Sequence, residues 1–432
     1  MNDDNFMILA AVLLGIIQIC GTFGFDMVSF LIEPICHSVR ERPDCIIEYA
    51  GYYGTSFTDL FYTFGNLIAP SCMFCGLGFA LFYAGGGSYG LRHSTDRTLS
   101  RNQSIQCMVN SFTTVLSGIF FIFSTHMANN GKAGILGNGT EVFTAQNQSS
   151  YRHYSDTEVR LLSLGMSAFA LAALILAILL PKRNLPESLE KKIKNEITLK
   201  QQINKVLSAM KQKNLLKLAP FFLFTGSILA LLFTIYPTTF AFTDSLVKER
   251  NLVAYYCIAT CLGEIVVGLI FTTVSKKYHN FGLIPVFILT CIFFVMVMVL
   301  TLIYTPAQSS LKPTKELAIL EPSAWIGILV GVLYGCLDGS ACNARMVAAA
   351  KGLPESPAIA FSVAKFYQAG SAMIFLFLGS KMNIHQILYL SGFLMIISIG
   401  CYISFLRDLK VSRIGSITEG IEKSGDEKIL SE

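Results

Sequence analysis

Stretches of about twenty apolar residues, the length a helix needs to cross ~30 Å of hydrocarbon, recur along this chain. They fall near 6–32, 105–128, 158–180, 215–243, 252–274, 281–304, 322–346, 357–380 and 384–406, and the region 51–90 is apolar without dividing cleanly. Composition agrees with this pattern. Of 432 residues, 53% are hydrophobic and 14% charged, where a soluble domain carries roughly 25% charged residues. We therefore expect an all-α polytopic membrane protein, with the lipid bilayer as its first partner, and not an ordinary cytosolic enzyme. The net charge of +5 is no nucleic-acid signal, because the basic residues sit in short loops, where they orient spans. The opening "MNDDNF" is acidic and the apolar stretch behind it has no small-residue cleavage site, which reads as a retained first span.

The connector 181–217 carries ten Lys or Arg against three Glu, which places it on the cytoplasmic side. The turn at 275–280, the turn holding Arg345 and Lys351, and the tail from Arg407 then fall on the same side, as alternation of the spans requires. Both termini are expected to be cytoplasmic. The same alternation puts 129–157 outside, where Asn138 and Asn147 begin N-x-[ST] sequons in a segment long enough to be glycosylated. A third sequon at Asn102 falls inside and reads as coincidence. Glycans on Asn138 or Asn147 would suit the plasma membrane or an endomembrane equally.

This organisation divides the chain into a helical half at 1–180, a basic connector at 181–214, a six-helix half at 215–406 and a flexible tail at 407–432. Within the connector, Leu189, Ile193, Ile203, Leu207 and Met210 recur at near-helical spacing among lysines, the pattern of an amphipathic helix lying on the membrane surface. Most of the twelve cysteines lie in apolar runs, where a thiol is a small hydrophobe. Cys36 and Cys45 share a polar stretch at 33–50 and could pair if that loop is extracellular. No metal-spaced cluster, phosphate loop or nucleophile–base arrangement appears, so we expect no metal, no cofactor and no enzymatic activity.

Charges inside spans are costly and need a reason. Asp338 lies in "GVLYGCLDGSACNAR" (331–345), where Gly327, Gly331, Gly335 and Gly339 repeat every four residues. At ~100° per residue these glycines form one smooth ridge, and such ridges let two membrane helices approach closely. Asp338 projects within ~20° of Gly331 and shares its stripe with Tyr334 and Arg345, so it faces protein. The next span carries Lys365, flanked by Ser362, Gln368 and Ala372. Counting ~1.5 Å per residue, Asp338 and Lys365 lie at equal depth, which predicts an ion pair or a shared hydrogen-bond network. Glu264, Asp26 and Asp59 are further acids in spans. They read either as a polar cavity for a cation, proton or substrate, or as satisfied side chains that lock helix packing.

Several stretches together resemble the ion-channel regulatory protein unc-ninety-three family, a branch of the major facilitator superfamily. Within it the likeness is nearest to the group called major facilitator superfamily domain-containing protein eleven. "GNLIAP" (65–70) is similar to the close of that family's second span, "LFYAGGGSYG" (81–90) to its fourth-span motif and "YPTTFAFT" (236–243) to its seventh. "GVLYGCLDGSACNAR" with "AIAFSVAKFYQ" (358–368) resembles the paired motifs of spans ten and eleven, and carries over Asp338, Asn343, Lys365 and Gln368. The resemblance implies the major facilitator fold, two helical halves around a central cavity with sites between them. It also implies an accessory subunit of a potassium channel, or a partner of another membrane protein. The chain departs from the family pattern at Gly86, where the family has glutamine. Only ten residues separate Pro70 from Leu81, where the family has a whole further span. We therefore expect about ten spans, with a shortened first half and one net crossing within 51–90. The shortened half favours a regulatory protein, while the charges within spans suit the alternative, a secondary transporter of a small solute or ion.

Overall fold

A computed structural model of the chain describes residues 2–40, 99–135, 154–185, 199–275 and 283–429, with Arg152 and isolated positions between 52 and 95. The expectations placed on Cys45, Asp59, Asn138 and Asn147 lie outside the described residues. Those residues form helices α1 (Asp3–Arg40), α2 (Leu99–Asn110), α3 (Phe112–Ile135), α4 (Asp156–Ile178) and α5 (Leu199–Met210). After the connector come α6 (Lys213–Ala230), α7 (Tyr236–Phe242), α8 (Leu252–Ser275), α9 (Ile284–Tyr304), α10 (Ala324–Gly352), α11 (Pro357–Gly379) and α12 (Ile384–Ile429). Among the described residues, nine helical segments are long and apolar enough to cross a membrane, and the β-structure is a single bridge between Thr243 and Thr314. The protein is an all-α, multi-pass membrane protein.

Two polar clusters mark the ends of the bundle. At the connector end, Arg183 Nη2 lies 2.9 Å from Asp3 Oδ1 at the start of α1. At the far end, Ser38 near the close of α1 donates to the carbonyl of Arg152. Tyr52 sits at the far end, its hydroxyl donating to the Ser310 carbonyl at 2.6 Å. Tyr89 sits at the connector end, donating to the Pro181 carbonyl at 2.8 Å. Tyr52 and Tyr89 therefore stand at opposite ends of the bundle.

Two helices cross far more closely than side chains ordinarily allow. A Cβ added to Gly335 on α10 would lie 1.9 Å from the Thr260 carbonyl oxygen of α8. One added to Gly263 on α8 would lie 2.1 Å from the Val332 carbonyl oxygen and 3.0 Å from the Gly335 Cα. Along the same ridge Gly331 meets Tyr256, and Gly339 meets Glu264. Both helices advance by four residues per contact, so α8 and α10 run parallel with their backbones nearly touching. In lipid, where burial of apolar surface gives no advantage between helices, such small-residue contact is what holds spans together.

The crossing formed by α6 and α7 is interrupted by a π-helical turn at Leu231–Ile235. Pro237 explains it: proline has no N–H to give and cannot continue an ordinary ladder. The Tyr236 N–H reaches back to the Leu231 carbonyl, which leaves the Leu232 carbonyl without a helical donor. The Tyr256 hydroxyl fills that vacancy at 2.9 Å, so α8 satisfies the broken ladder of its neighbour. Tyr236, Tyr256 and Tyr334 pack together here with ring centroids 5.4–6.4 Å apart.

Helices before and after the connector meet along one seam. Phe30 of α1 packs against Phe233 at 5.2 Å and Tyr256 at 6.1 Å, and His37 packs against Phe242 at 5.0 Å. On α3, a Cβ at Gly118 would lie 2.8 Å from the Ala254 carbonyl oxygen of α8.

Three local expectations need correction. The stretch 33–50 was expected to be a loop, yet α1 continues through Pro34 to Arg40, so Cys36 lies on a helix. Ser38 bonds the Pro34 carbonyl at 2.9 Å one turn above the proline. The expected span 105–128 is two helices joined at Ser111. The tail, expected to be flexible, is helical through Ile429. It holds no proline, and Glu419 stands four residues before Lys423, a spacing that supports a helix. In the connector, Leu199–Met210 form a helix with Ala209 buried and Leu207 exposed, while Leu189 and Ile193 lie outside the described residues.

Candidate functional site

Three acidic side chains converge on the seam. Asp26 on α1, Glu264 on α8 and Asp338 on α10 lie within electrostatic range of one another. Helix geometry explains the shared level. Each stands about twelve to fourteen residues, or ~20 Å, from the far-end residue that begins or ends its helix. Lys365 on α11 stands at the same level by the same count.

Hydroxyls from the first half stand beside two of the acids. Thr22, one turn before Asp26 on α1, lies beside that acid; its hydroxyl donates to the Gln18 carbonyl at 2.9 Å and its oxygen lies 3.5 Å from that of Thr113 on α3. Glu264 accepts from Ser111 at the joint between α2 and α3. The joint therefore has a role: it turns a serine toward an acid of the other half. Cys261, one turn before Glu264, meets Thr114. The centre is thus built from α1 and the α2–α3 joint on one side and from α8 and α10 on the other.

Two cations face Asp338. Arg345, two turns further along α10, and Lys365 on α11 both lie within electrostatic range of it. Arg345 is 4% exposed and its Nη1 finds no hydrogen-bond partner among the described residues, while its Nη2 lies 3.4 Å from Cys342 Sγ. Lys365 is exposed, and so is Asn343. Gln368 is buried with its Oε1 unpartnered. Its own backbone carbonyl is pressed against α6, 2.1 Å from where a Cβ at Gly226 would sit. Asp338 thus has two cations within electrostatic range, Lys365 from the next span and Arg345, which sequence reading put only on the same stripe. A carboxylate cluster with adjacent cations at this depth can bind a cation or proton, or join a charged ligand.

A second polar cluster was missed in the sequence. At the far end, Arg152 Nη2 lies 2.8 Å from Glu158 Oε1 and 3.1 Å from the Thr125 hydroxyl. The Thr125 hydroxyl itself donates to Glu158 at 2.9 Å. Arg152 Nη1 donates to the Arg250 carbonyl, and the Arg152 amide donates to the Ala241 carbonyl at 3.1 Å. The guanidinium also covers the rings of Phe121 and Tyr154 at 4.7 and 4.6 Å. Arg152 and Glu158 are 8% and 6% exposed. The ion pair therefore ties α3 and α4 of the first half to the α7–α8 turn of the second. A sequence signal existed in "SDTE" (155–158), a capping box before an apolar run. Ser155 does cap α4, accepting from the Glu158 amide at 3.3 Å, but the glutamate side chain is diverted to Arg152. Glu33 was missed as well; it is 3% exposed and accepts from the Tyr52 amide at 3.1 Å. The sequon at Asn102 is occupied structurally, because its buried amide donates to Ser94 at 2.9 Å.

Comparison with known proteins gives a consistent picture. The chain is 24% identical over 367 residues to the UNC93-like protein MFSD11 of Xenopus tropicalis, covering 80% of this chain and 75% of that protein. A bacterial homologue of the human lysosomal transporter Spinster, inward-facing and unoccupied, aligns with 94% of this chain and 98% of its own at 10% identity and a TM-score of 0.48. The nucleoside transporter NupG aligns with 93% of this chain and 99% of its own at 12% identity and a TM-score of 0.47. The family model described as ion channel regulatory protein UNC-93 matches residues 71–405. The chain belongs to the UNC-93 family.

Proposed function

We propose that this protein is a regulatory or accessory subunit of another membrane protein, a potassium channel being the foremost class of partner. Family membership over residues 71–405 carries this reading. The acid centre adds a physical means of regulation, since binding a cation or proton among Asp26, Glu264 and Asp338 would shift how the two sides of the seam sit together. The centre then acts as a sensor whose state the partner feels through the outer helices.

A second reading is a secondary transporter of a small solute or ion. One observation favours it: the acids come from both sides of the connector, as a site exposed alternately to each face of a membrane requires. Two assays on the purified protein and the co-expressed protein separate the readings. We expect no gradient-driven uptake into liposomes across a panel of solutes, with or without a proton gradient. We expect the current of a co-expressed potassium channel to change. Uptake that is driven by a proton gradient and abolished by Asp338→Asn would overturn the regulatory reading.

A further inference from the structure

The segment between α9 and α10 carries a strip of apolar side chains left exposed among the described residues. Leu317 is 86% exposed, Ile319 76%, Leu320 49% and Trp325 79%. On a water-facing loop such a strip would be a liability, because soluble surfaces seldom leave large apolar side chains contiguous. Its position is fixed by backbone hydrogen bonds. The Leu320 amide donates to the Ile303 carbonyl at 3.0 Å, next to the last residue of α9. The Thr314 amide donates to the Phe242 carbonyl at 2.9 Å at the end of α7. The segment therefore lies flat against the far end of the bundle at the level where the spans stop.

The strip is continuous with the lipid-facing surface. Trp325 stands in the first turn of α10, and Leu329, one turn further into the span, is exposed on the same face. On α9, Ile288, Ile292, Val295 and Val299 form the neighbouring exposed apolar face. With 21 residues, α9 is ~31 Å long, close to the hydrocarbon thickness, so its end coincides with the edge of the hydrocarbon. Exposed Lys312 and Lys315 precede the strip. Their ammonium groups can reach the headgroups while Leu317, Ile319 and Leu320 point toward the acyl chains. A tryptophan at this level suits the amphipathic boundary between headgroup and hydrocarbon.

We propose that residues 317–320, together with Trp325, form an interfacial wedge that inserts into the headgroup–acyl boundary of the leaflet at the far end. The occupant of this apolar face is lipid, not a protein partner. The wedge anchors the α9–α10 segment at a set height, and through the Thr314–Phe242 and Leu320–Ile303 contacts it fixes the ends of α7 and α9.

Trp325 is the sole tryptophan of the chain, so its fluorescence reports this site without interference. The test places the full-length protein in lipid nanodiscs, with phosphatidylcholine brominated either near the headgroup or near the chain terminus, and with aqueous iodide as a second quencher. A paired variant, Ile319→Trp in a Trp325→Phe background, moves the reporter onto the loop; Leu317→Trp in the same background repeats the measurement if that protein is not recovered. We expect both reporters to be quenched more strongly by bromine near the headgroup than by bromine near the chain terminus, and to be shielded from iodide relative to a free indole. Iodide quenching of the loop reporter equal to that of free indole, without quenching by brominated lipid, overturns the proposal and leaves the strip to a protein partner. Stronger quenching by the deep bromine also overturns it, since the segment would then be part of a span.

Discussion

Gly335→Ala is expected to destabilise the protein by about 3 kcal/mol, at the upper end of the penalties for overpacking a close contact. Its Cβ would fall 1.9 Å from the Thr260 carbonyl oxygen, and backbone cannot rotate away as a side chain can. Helices α8 and α10 must separate, which also moves Glu264 and Asp338 apart. The neighbouring Gly339 provides the control. A Cβ there meets nothing nearer than 3.6 Å, so Gly339→Ala should change stability by less than about 0.5 kcal/mol. Gly331→Ala should fall between them, because its tightest neighbours, the Tyr256 ring at 2.9 Å and the Tyr256 carbonyl oxygen at 3.1 Å, are less close than the Thr260 oxygen is to a Cβ at Gly335. Thermal unfolding of the three variants in detergent reads this order directly. Equal effects at Gly335 and Gly339 would show that the backbone crossing is not what holds these helices.

Glu158→Ala should cost about 3–5 kcal/mol, the range seen when one partner of a buried ion pair is removed. The loss comes less from the missing attraction than from leaving the Arg152 guanidinium buried without its carboxylate. The double variant Arg152→Met/Glu158→Leu should recover part of that loss, since an apolar pair of similar size leaves no stranded charge. Recovery will be incomplete, because Arg152 also holds the Arg250 carbonyl. Denaturation of the single and double variants measures both values. A neutral Glu158→Ala would mean that the far end is not fastened by this pair.

The helices themselves were legible because hydrocarbon thickness imposes a length and an apolar composition that few other structures share. The glycine ridge on α10 was also legible, as spacing alone declares a close contact. Its partner was not, since a ridge of small residues says that something approaches and not which helix does. The same limit applies to the acid centre. Depth counting brought Asp338 and Lys365 to one level, but only the packed seam brings Asp26 and Glu264 to that level on facing helices. Sequence reading put Arg345 on the stripe of Asp338 but assigned it no role, because a residue two turns along the same helix is judged by its chain distance, although buried charge acts through space. Arg152 and Glu158 were missed because hydropathy assigns polar residues to water, and here Arg152 is buried against both halves. The π turn before Pro237 was foreshadowed by the proline, whereas the Tyr256 hydroxyl that repairs it lies twenty-four residues away from Leu232.

The central claim is that acids from the two sides of the connector share one interior centre. A double-mutant cycle between Asp26→Asn and Asp338→Asn tests it most directly, read as unfolding free energy in detergent, with Asp26→Asn and Asp408→Asn as a control pair. Asp408 lies at the connector end, 2.7 Å from Lys217, and should combine additively with Asp26. The account predicts that the Asp26 and Asp338 effects deviate from additivity by more than about 0.5 kcal/mol, as residues of one network do. Additivity within about 0.3 kcal/mol, matching the control pair, would contradict it.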